Sequence, residues 1–219
     1  MAAPSTSARE DILRAAYGLF LDVGYDKATY QHIAERSGHE RPLVQYHIPH
    51  KADLATRFLT DVLSASEEAL RAAHLAEPGE PISYRYVLAQ VYYAALSTPS
   101  LRRFAMDALD RRSIIARVLA DDIEWNLALI HPDDARRQAV VDDCVMGVGG
   151  AYELFLHRLR EGQDTNPADL ASRTLLTSIR SEPEARDTTE AGIRAHTLAS
   201  DTLQAAADHV VARLAEMPA

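Results

Sequence analysis

HERPLVQYHIPHK, residues 39–51, decides how this chain is read. Pro42 suits the first turn of a helix, where its missing N–H leaves no hydrogen bond unmade. Pro49 disfavours helix in the residue before it, so the helix that opens near Arg41 stops near Ile48. Glu40 stands at the N-cap position. Only Val44 and Ile48, with Leu43 beside them, have apolar side chains to bury, so the rest of this very short helix faces outward.

Upstream, Ile12, Leu13, Ala16, Leu19 and Phe20 recur at helical spacing and predict a helix from about Ala8 to Val23. Ser7 is its expected N-cap, and Gly24 ends it in a left-handed turn. The stretch YDKATYQHIAERSG, residues 25–38, predicts a second helix capped by Thr29 and closed by Gly38, with Ile33 and Ala34 as its buried pair. Two short helices around a glycine-containing turn, behind a longer one, form a helix-turn-helix. The outward side chains of the third helix suit a DNA groove. Arg41 matches guanine edges, Gln45 matches adenine or a phosphate, and Tyr46, His47 and Lys51 suit phosphates.

The ordered pattern ARED-IL-AA--LF---GY---T---IA---G, followed by YHIPHK and Leu54, resembles the N-terminal DNA-binding domain of the TetR family of bacterial regulators. The resemblance implies that Thr29, Tyr30 and Gln31 open the helix that crosses the DNA backbone. It places Arg41, Pro42, Gln45, Tyr46 and His47 on the recognition helix and Lys51 at a phosphate where the next helix begins. It further implies an all-α fold: a helix-turn-helix domain over residues 1–56, joined by a long helix to a ligand-binding and dimerisation domain over 57–219. The implied function is a ligand-responsive transcriptional repressor, a homodimer on a palindromic double-stranded DNA operator, released by a small-molecule effector. The chain departs from the family at His39 and Glu40, where a small apolar residue and then Ser or Thr are usual, at Gln45, where Tyr is usual, and at Ile48, where Phe is usual. Residues 1–60 also balance seven Lys and Arg against seven Asp and Glu. These features motivate a second reading, a helical interaction or small-molecule-binding protein with weakened DNA readout. Four histidines, His32, His39, His47 and His50, lie in the head, so DNA binding is expected to strengthen in mild acid.

Beyond the head, Leu54, Phe58, Val62, Leu63, Ala69 and Leu70 mark a long helix from Ala52 to about Ala76, with EPGEPI (77–82) as the turn after it. The next helix, Ser83 to Ser97, buries Tyr84, Leu88, Val91 and Ala95. Tyr86, Gln90 and Tyr93 lie on another face. Together with Met106 and Trp125, from helices over 100–111 and from Ser113 to Ile130, they make a candidate lining for a mostly apolar, partly hydrogen-bonding ligand. Asp121 and Asp122 read as a solvated face.

After HPDD (131–134), a helix to about Glu161 repeats Val141, Val145, Val148, Tyr152, Phe155 and Leu159 as a heptad seam. Cys144, Gly147 and Ala151 form a small-residue face for close approach of another helix. The resemblance implies that late helices pair with a second subunit, which makes Val141, Val145, Val148, Tyr152 and Phe155 the candidate dimer interface. A helix capped near Asn166 and a last helix over 188–216, separated by an exposed linker at 181–188, compete to complete it.

The net charge of -9 excludes indiscriminate binding to nucleic acid, so any DNA contact is local. A single cysteine, Cys144, fits a reducing compartment. No apolar run is long enough to cross a bilayer, and the first residues lack the apolar stretch of a signal peptide, so a cytoplasmic location with no membrane partner is expected. P-loop, GxGxxG, HExxH, GxSxG and CxxC motifs are absent; the chain is not expected to be an enzyme or to hold a metal or cofactor.

Overall fold

The computed structural model describes residues 6–76, 81–178, 192–193 and 195–217, and every regular element among them is helical. In chain order these are α1 (Thr6–Val23), α2 (Tyr30–Ser37), α3 (Arg41–His47), α4 (Lys51–Ala72), α5 (Pro81–Ser97), α6 (Pro99–Leu109) and α7 (Arg112–Ile130). Then follow α8 (Asp134–Cys144), a π-helical turn (Val145–Gly149), α9 (Gly150–Arg160), α10 (Pro167–Ser178) and α11 (Ser200–Glu216). The all-α expectation holds. The expectations for most of the 77–82 turn and for the 181–188 linker lie outside the described residues.

Local chemistry sets the element ends. Thr29 Oγ1 accepts from His32 N at 3.2 Å and caps α2, while Gly38, at φ +71°, takes the left-handed position that ends it. α1 is under way at Thr6, ahead of the Ser7 expected to cap it. α4 stops at Ala72 rather than Ala76, because His74 turns left-handed (φ +51°) and Leu75 N bonds back to Leu70 O at 3.0 Å. Ser113 lies inside α7, whose N-cap is Arg111.

One core runs through the molecule from Ile12 of α1 to Leu214 of α11. At its centre Phe20 of α1, Phe58 of α4 and Phe104 of α6 meet with ring centroids 5.3, 4.9 and 4.6 Å apart. Tyr17 adds an edge-on contact to Phe58 at 4.7 Å. Burying each such ring stabilises the fold by roughly 2–3 kcal/mol. Polar contacts reinforce this junction: Asp26 N donates to Asp107 Oδ2 at 3.1 Å, and Arg111 pairs with Asp26 at 2.5 Å. The last helix, α11, packs on α4, α5 and α1, and Arg213 pairs with Glu68 of α4 at 2.7 Å.

The π turn changes the reading of the late helices. It inserts one residue into the helical repeat, so a seam of steps of four and three cannot stay on one face. Val148, Tyr152 and Phe155 are buried inside this chain, whereas Val145 is 43% exposed and its neighbour Met146 45%. The five-residue dimer seam is therefore corrected: its last three members serve the chain's own core. Val141 packs at the edge of a small cluster of Leu127, Val140 and Cys144. Cys144, Gly147 and Ala151 are buried too, and the close approach that small residues allow is to this chain's own α7 and α10.

Candidate functional site

On α3, Val44 is fully buried and Ile48, which ends the helix, nearly so, which turns Arg41, Pro42, Gln45 and Tyr46 to solvent. Tyr46 is 68% exposed, an unusual position for a tyrosine with nothing to do. Thr29 and Gln31 are exposed at the start of α2. Gln31 Nε2 donates to Glu35 at 2.9 Å. Tyr30 Oη donates to Pro49 O at 3.2 Å, tying α2 to the end of α3.

Two expected phosphate contacts sit differently. The Lys51 ammonium donates to Tyr25 O at 2.9 Å and lies 4.1 Å from the centre of the Tyr25 ring. Its long stem reaches back to the α1–α2 turn, where a carbonyl and a π face replace water. Burial lowers its pKa, with Asp26 opposing the shift. His47 is half-buried, and its Nε2 is shielded from solvent with no hydrogen-bond partner. Burial, then the charges of Arg9 and His39, hold its pKa below the ordinary histidine value, against the expectation that it charges in mild acid.

Three other cations of the head are paired: Arg14 with Asp11 at 3.3 Å, Arg36 with Asp22 at 2.5 Å, and Arg57 with Asp61 at 3.7 Å. Arg9, Lys27 and Arg41 are exposed and have no ion pair among the described residues. Arg9 and Lys27 escaped the sequence reading. For Arg9 the only signal was the absence of an acid three or four residues away on the same helix; for Lys27, which lies in a turn, there was none.

A cavity of about 240 Å³ lies among α4, α5, α7, α9 and α10. Leu59, Leu63, Leu88, Val118, Val148 and Leu175 form its apolar wall. Tyr93 and Trp125 line it as expected. Tyr86, Gln90 and Met106 do not. Tyr86 Oη bonds to Thr197 Oγ1 at 2.9 Å. The Gln90 amide donates to His196 O at 3.1 Å and accepts from Leu198 N at 3.0 Å. Both side chains fasten the segment leading into α11. Met106 packs against the main core from α6. A period of 3.6 gives the face of a helix but not which neighbour covers it.

The cavity's polar end was missed. Tyr92, Tyr93 and Tyr152 bring their ring centroids within 5.7, 6.4 and 6.3 Å of one another. Tyr92 Oη lies 3.1 Å from Tyr152 Oη, which donates to Asp122 Oδ2 at 3.4 Å. When Asp122 is ionised it only accepts, and the chain of donation then runs from Tyr92 through Tyr152 to Asp122. Burial pushes the pKa of Asp122 up to about 7, with Asp121 adding to the rise and the Tyr152 hydroxyl opposing it. No cationic side chain pairs with Asp122 among the described residues. Asp121 is exposed as expected, but Asp122 is a correction: it is a cavity residue, not part of a solvated face. Asn126 donates through Nδ2 to Asp122 O at 2.7 Å, which leaves its buried Oδ1 without a partner.

Head and cavity share one helix, α4, and are joined by an ion pair to a second, α7. α4 begins beneath the head and contributes Leu59 and Leu63 to the cavity. Asp53, in the first turn of α4, pairs with Arg117 of α7, the helix that carries Val118, Asp122, Trp125 and Asn126. Among the described residues no group of three or more His, Cys, Asp or Glu side chains is placed to hold a metal ion, and no helix is long and apolar enough to cross a membrane.

Residues 12–57, which span the head from α1 into α4, match the model of the bacterial regulatory proteins, tetR family. No curated protein and no solved structure matches the chain.

Proposed function

We propose that this chain, a tetR-family DNA-binding transcription regulator by the match of its head, is a repressor that binds a palindromic operator as a homodimer and leaves it when a small molecule fills the internal cavity. The observation that carries this reading is the outward face of α3, Arg41, Gln45 and Tyr46, on a head whose connecting helix also walls a cavity. We place the division of labour at residues 56 and 57, with DNA contact before it and ligand binding and dimerisation after. Localisation in the cytoplasm and the lack of a catalytic role follow from the same reading.

Arg41 reads a base, and Thr29, Tyr30, Gln31, Pro42, Gln45 and Tyr46 complete the contact surface. Arg9 and Lys27 supply phosphate contacts in the role first expected of His47 and Lys51. Lys51 shapes the head by holding α4 against Tyr25. For dimerisation we assign the exposed pair Val145 and Met146 together with exposed Gly150, where a side chain would meet open space. α10 packs directly beside the π turn, whereas α11 lies against α1, α4 and α5, so α10 is the second helix of the interface. A twofold dimer reads two half-sites about 34–36 Å apart, or a multiple of that. Ligand in the cavity touches α4 and α7 together and shifts the population toward a spacing of heads that misses the operator.

The alternative, a helical small-molecule binder with weak DNA readout, draws on the head's balanced charge and its few unpaired cations. Fluorescence anisotropy with DNA from upstream of the protein's own gene, at moderate salt, separates the two. Specific binding that Arg41→Ala weakens supports the regulator; binding indifferent to Arg41→Ala and to DNA sequence sinks operator recognition by this head.

A further inference from the structure

Assuming the cavity is the effector site, we infer that it takes an organic cation with an apolar body, whose charged nitrogen sits against Asp122 and Asn126 within the ring faces of Tyr92, Tyr93 and Tyr152. Three features of the cavity converge on this chemistry.

The first is a half-buried carboxylate in the cavity wall that lacks a counter-charge. Asp122 accepts one long hydrogen bond, 3.4 Å from Tyr152, and meets no cation among the described residues. A buried ionised carboxylate without a partner is costly, and a cationic ligand supplies the partner. The second is an orphaned acceptor. Asn126 lines the cavity and is 5% exposed, its Nδ2 is committed to Asp122 O, and its Oδ1 is shut off beside Asp122 with no partner. A ligand N–H that reaches this atom as the side chain turns toward the cavity would satisfy it, whereas a ligand oxygen that only accepts cannot. The third is the set of aromatic rings. Three tyrosines lie within 6.4 Å of one another and Trp125 lines the same space, and the negative faces of such rings favour a cation.

The charges around the cavity agree in sign. Glu67 of α4, Asp121 and Asp122 of α7, and Arg85 of α5 are its charged lining residues, three carboxylates to one guanidinium. Arg85 is engaged by other contacts. An anionic ligand would face net negative charge, and a neutral one would leave Asp122 ionised without a counter-charge only above about pH 7, where the acid gives up its proton. Burial favours the protonated acid in the empty cavity, so binding a cation displaces a proton and strengthens as pH rises through about 7.

The test is isothermal titration calorimetry of the full chain at pH 8 with 2-naphthylmethylammonium, its neutral counterpart 2-naphthalenemethanol and the anion 2-naphthoate. The cation is expected to bind at least tenfold more tightly than the alcohol, and the naphthoate least. Asp122→Asn should lower cation affinity at least tenfold and leave the alcohol's affinity unchanged, which also shows that the variant cavity is folded. The inference is overturned if the alcohol or naphthoate binds as tightly as the cation, if Asp122→Asn binds the cation like the parent, or if no member of the series binds. Operator release is measured separately. A cation that binds by these criteria without loosening DNA leaves the cavity's chemistry standing and removes its role as effector site.

Discussion

Tyr152 Oη lies 3.4 Å from Oδ2 of Asp122, and this contact joins α9 to α7 through an acid that no cation neutralises among the described residues. Because burial raises the pKa of Asp122 to about 7, the native state holds that proton more tightly than the unfolded chain does. The stability this group contributes is complete below the ordinary carboxylate pKa, declines as pH climbs from about 4 to about 7, and stays lost above. Asp122→Asn removes the dependence. Urea melts at pH 4.5 and pH 8 should show the variant gaining about 3 kcal/mol on the parent between the two pH values. Parallel pH profiles would show that Asp122 is not held protonated.

Phe58 sits between Phe20 and Phe104, at 5.3 and 4.6 Å, so it packs α4 against α1 and α6 at once. Phe58→Ala should cost about 3–5 kcal/mol in urea denaturation, the range for emptying a well-packed aromatic site. A loss below about 1 kcal/mol would mean the three helices are held by other contacts.

The head's cations separate by salt dependence. Arg41→Ala should weaken specific binding by about 1–3 kcal/mol and relax preference at one base position. Lys27→Ala should weaken binding evenly across sequences and reduce the slope of log affinity against log salt by about one. Lys51→Ala should lower the melting temperature and leave the salt slope unchanged, since its ammonium is spent on Tyr25. A salt slope that drops on loss of Lys51 returns it to the phosphate.

Val145 and Met146 are the large exposed apolar side chains of the body among the described residues. Met146→Asp should yield a monomer in sedimentation equilibrium, with an unchanged far-ultraviolet dichroism spectrum and weaker operator binding. A dimer that survives this substitution forms through another face.

Arg117 and Asp53 are both more than half exposed, so their ion pair adds little stability, within about 1 kcal/mol. Its value lies in connecting the first turn of α4 to the helix that lines the cavity. Arg117→Ala should leave melting and 2-naphthylmethylammonium affinity near parental values while blunting the effect of that cation on DNA affinity. Full release by the variant would place the coupling elsewhere.

The head was legible in the sequence because its boundaries are local chemistry. Thr29 caps, Gly24 and Gly38 turn left-handed, and Pro42 and Pro49 bracket α3; each acts within a few residues of itself. The cavity was half legible. Tyr93 and Trp125 follow from helical spacing and size, but Asp122 resembles any acid on a helix until α9 delivers Tyr152 to it. Tyr86 and Gln90 looked alike as cavity candidates, and only the arrival of residues 196–198 against α5 shows that both hold chain rather than ligand. Lys51 followed the same rule: its partner is a carbonyl 26 positions earlier, which no spacing pattern reports.

The π turn over 145–149 sets the phase between two surfaces that have no other reason to agree. Residues before and within it present Val145 and Met146 outward; residues after it swing Tyr152 inward to Asp122. A π turn spreads one helical revolution over an extra residue, so deleting one residue there, Gly149 for instance, would restore an ordinary repeat without turning the helix beyond it. Tyr152 would stay in the cavity while the turn's own residues, Val145 and Met146 among them, would be re-aimed. A change of a single codon can thus alter how the molecule assembles without touching what it senses, so lineages that keep the ligand can acquire a new outer face through this one turn.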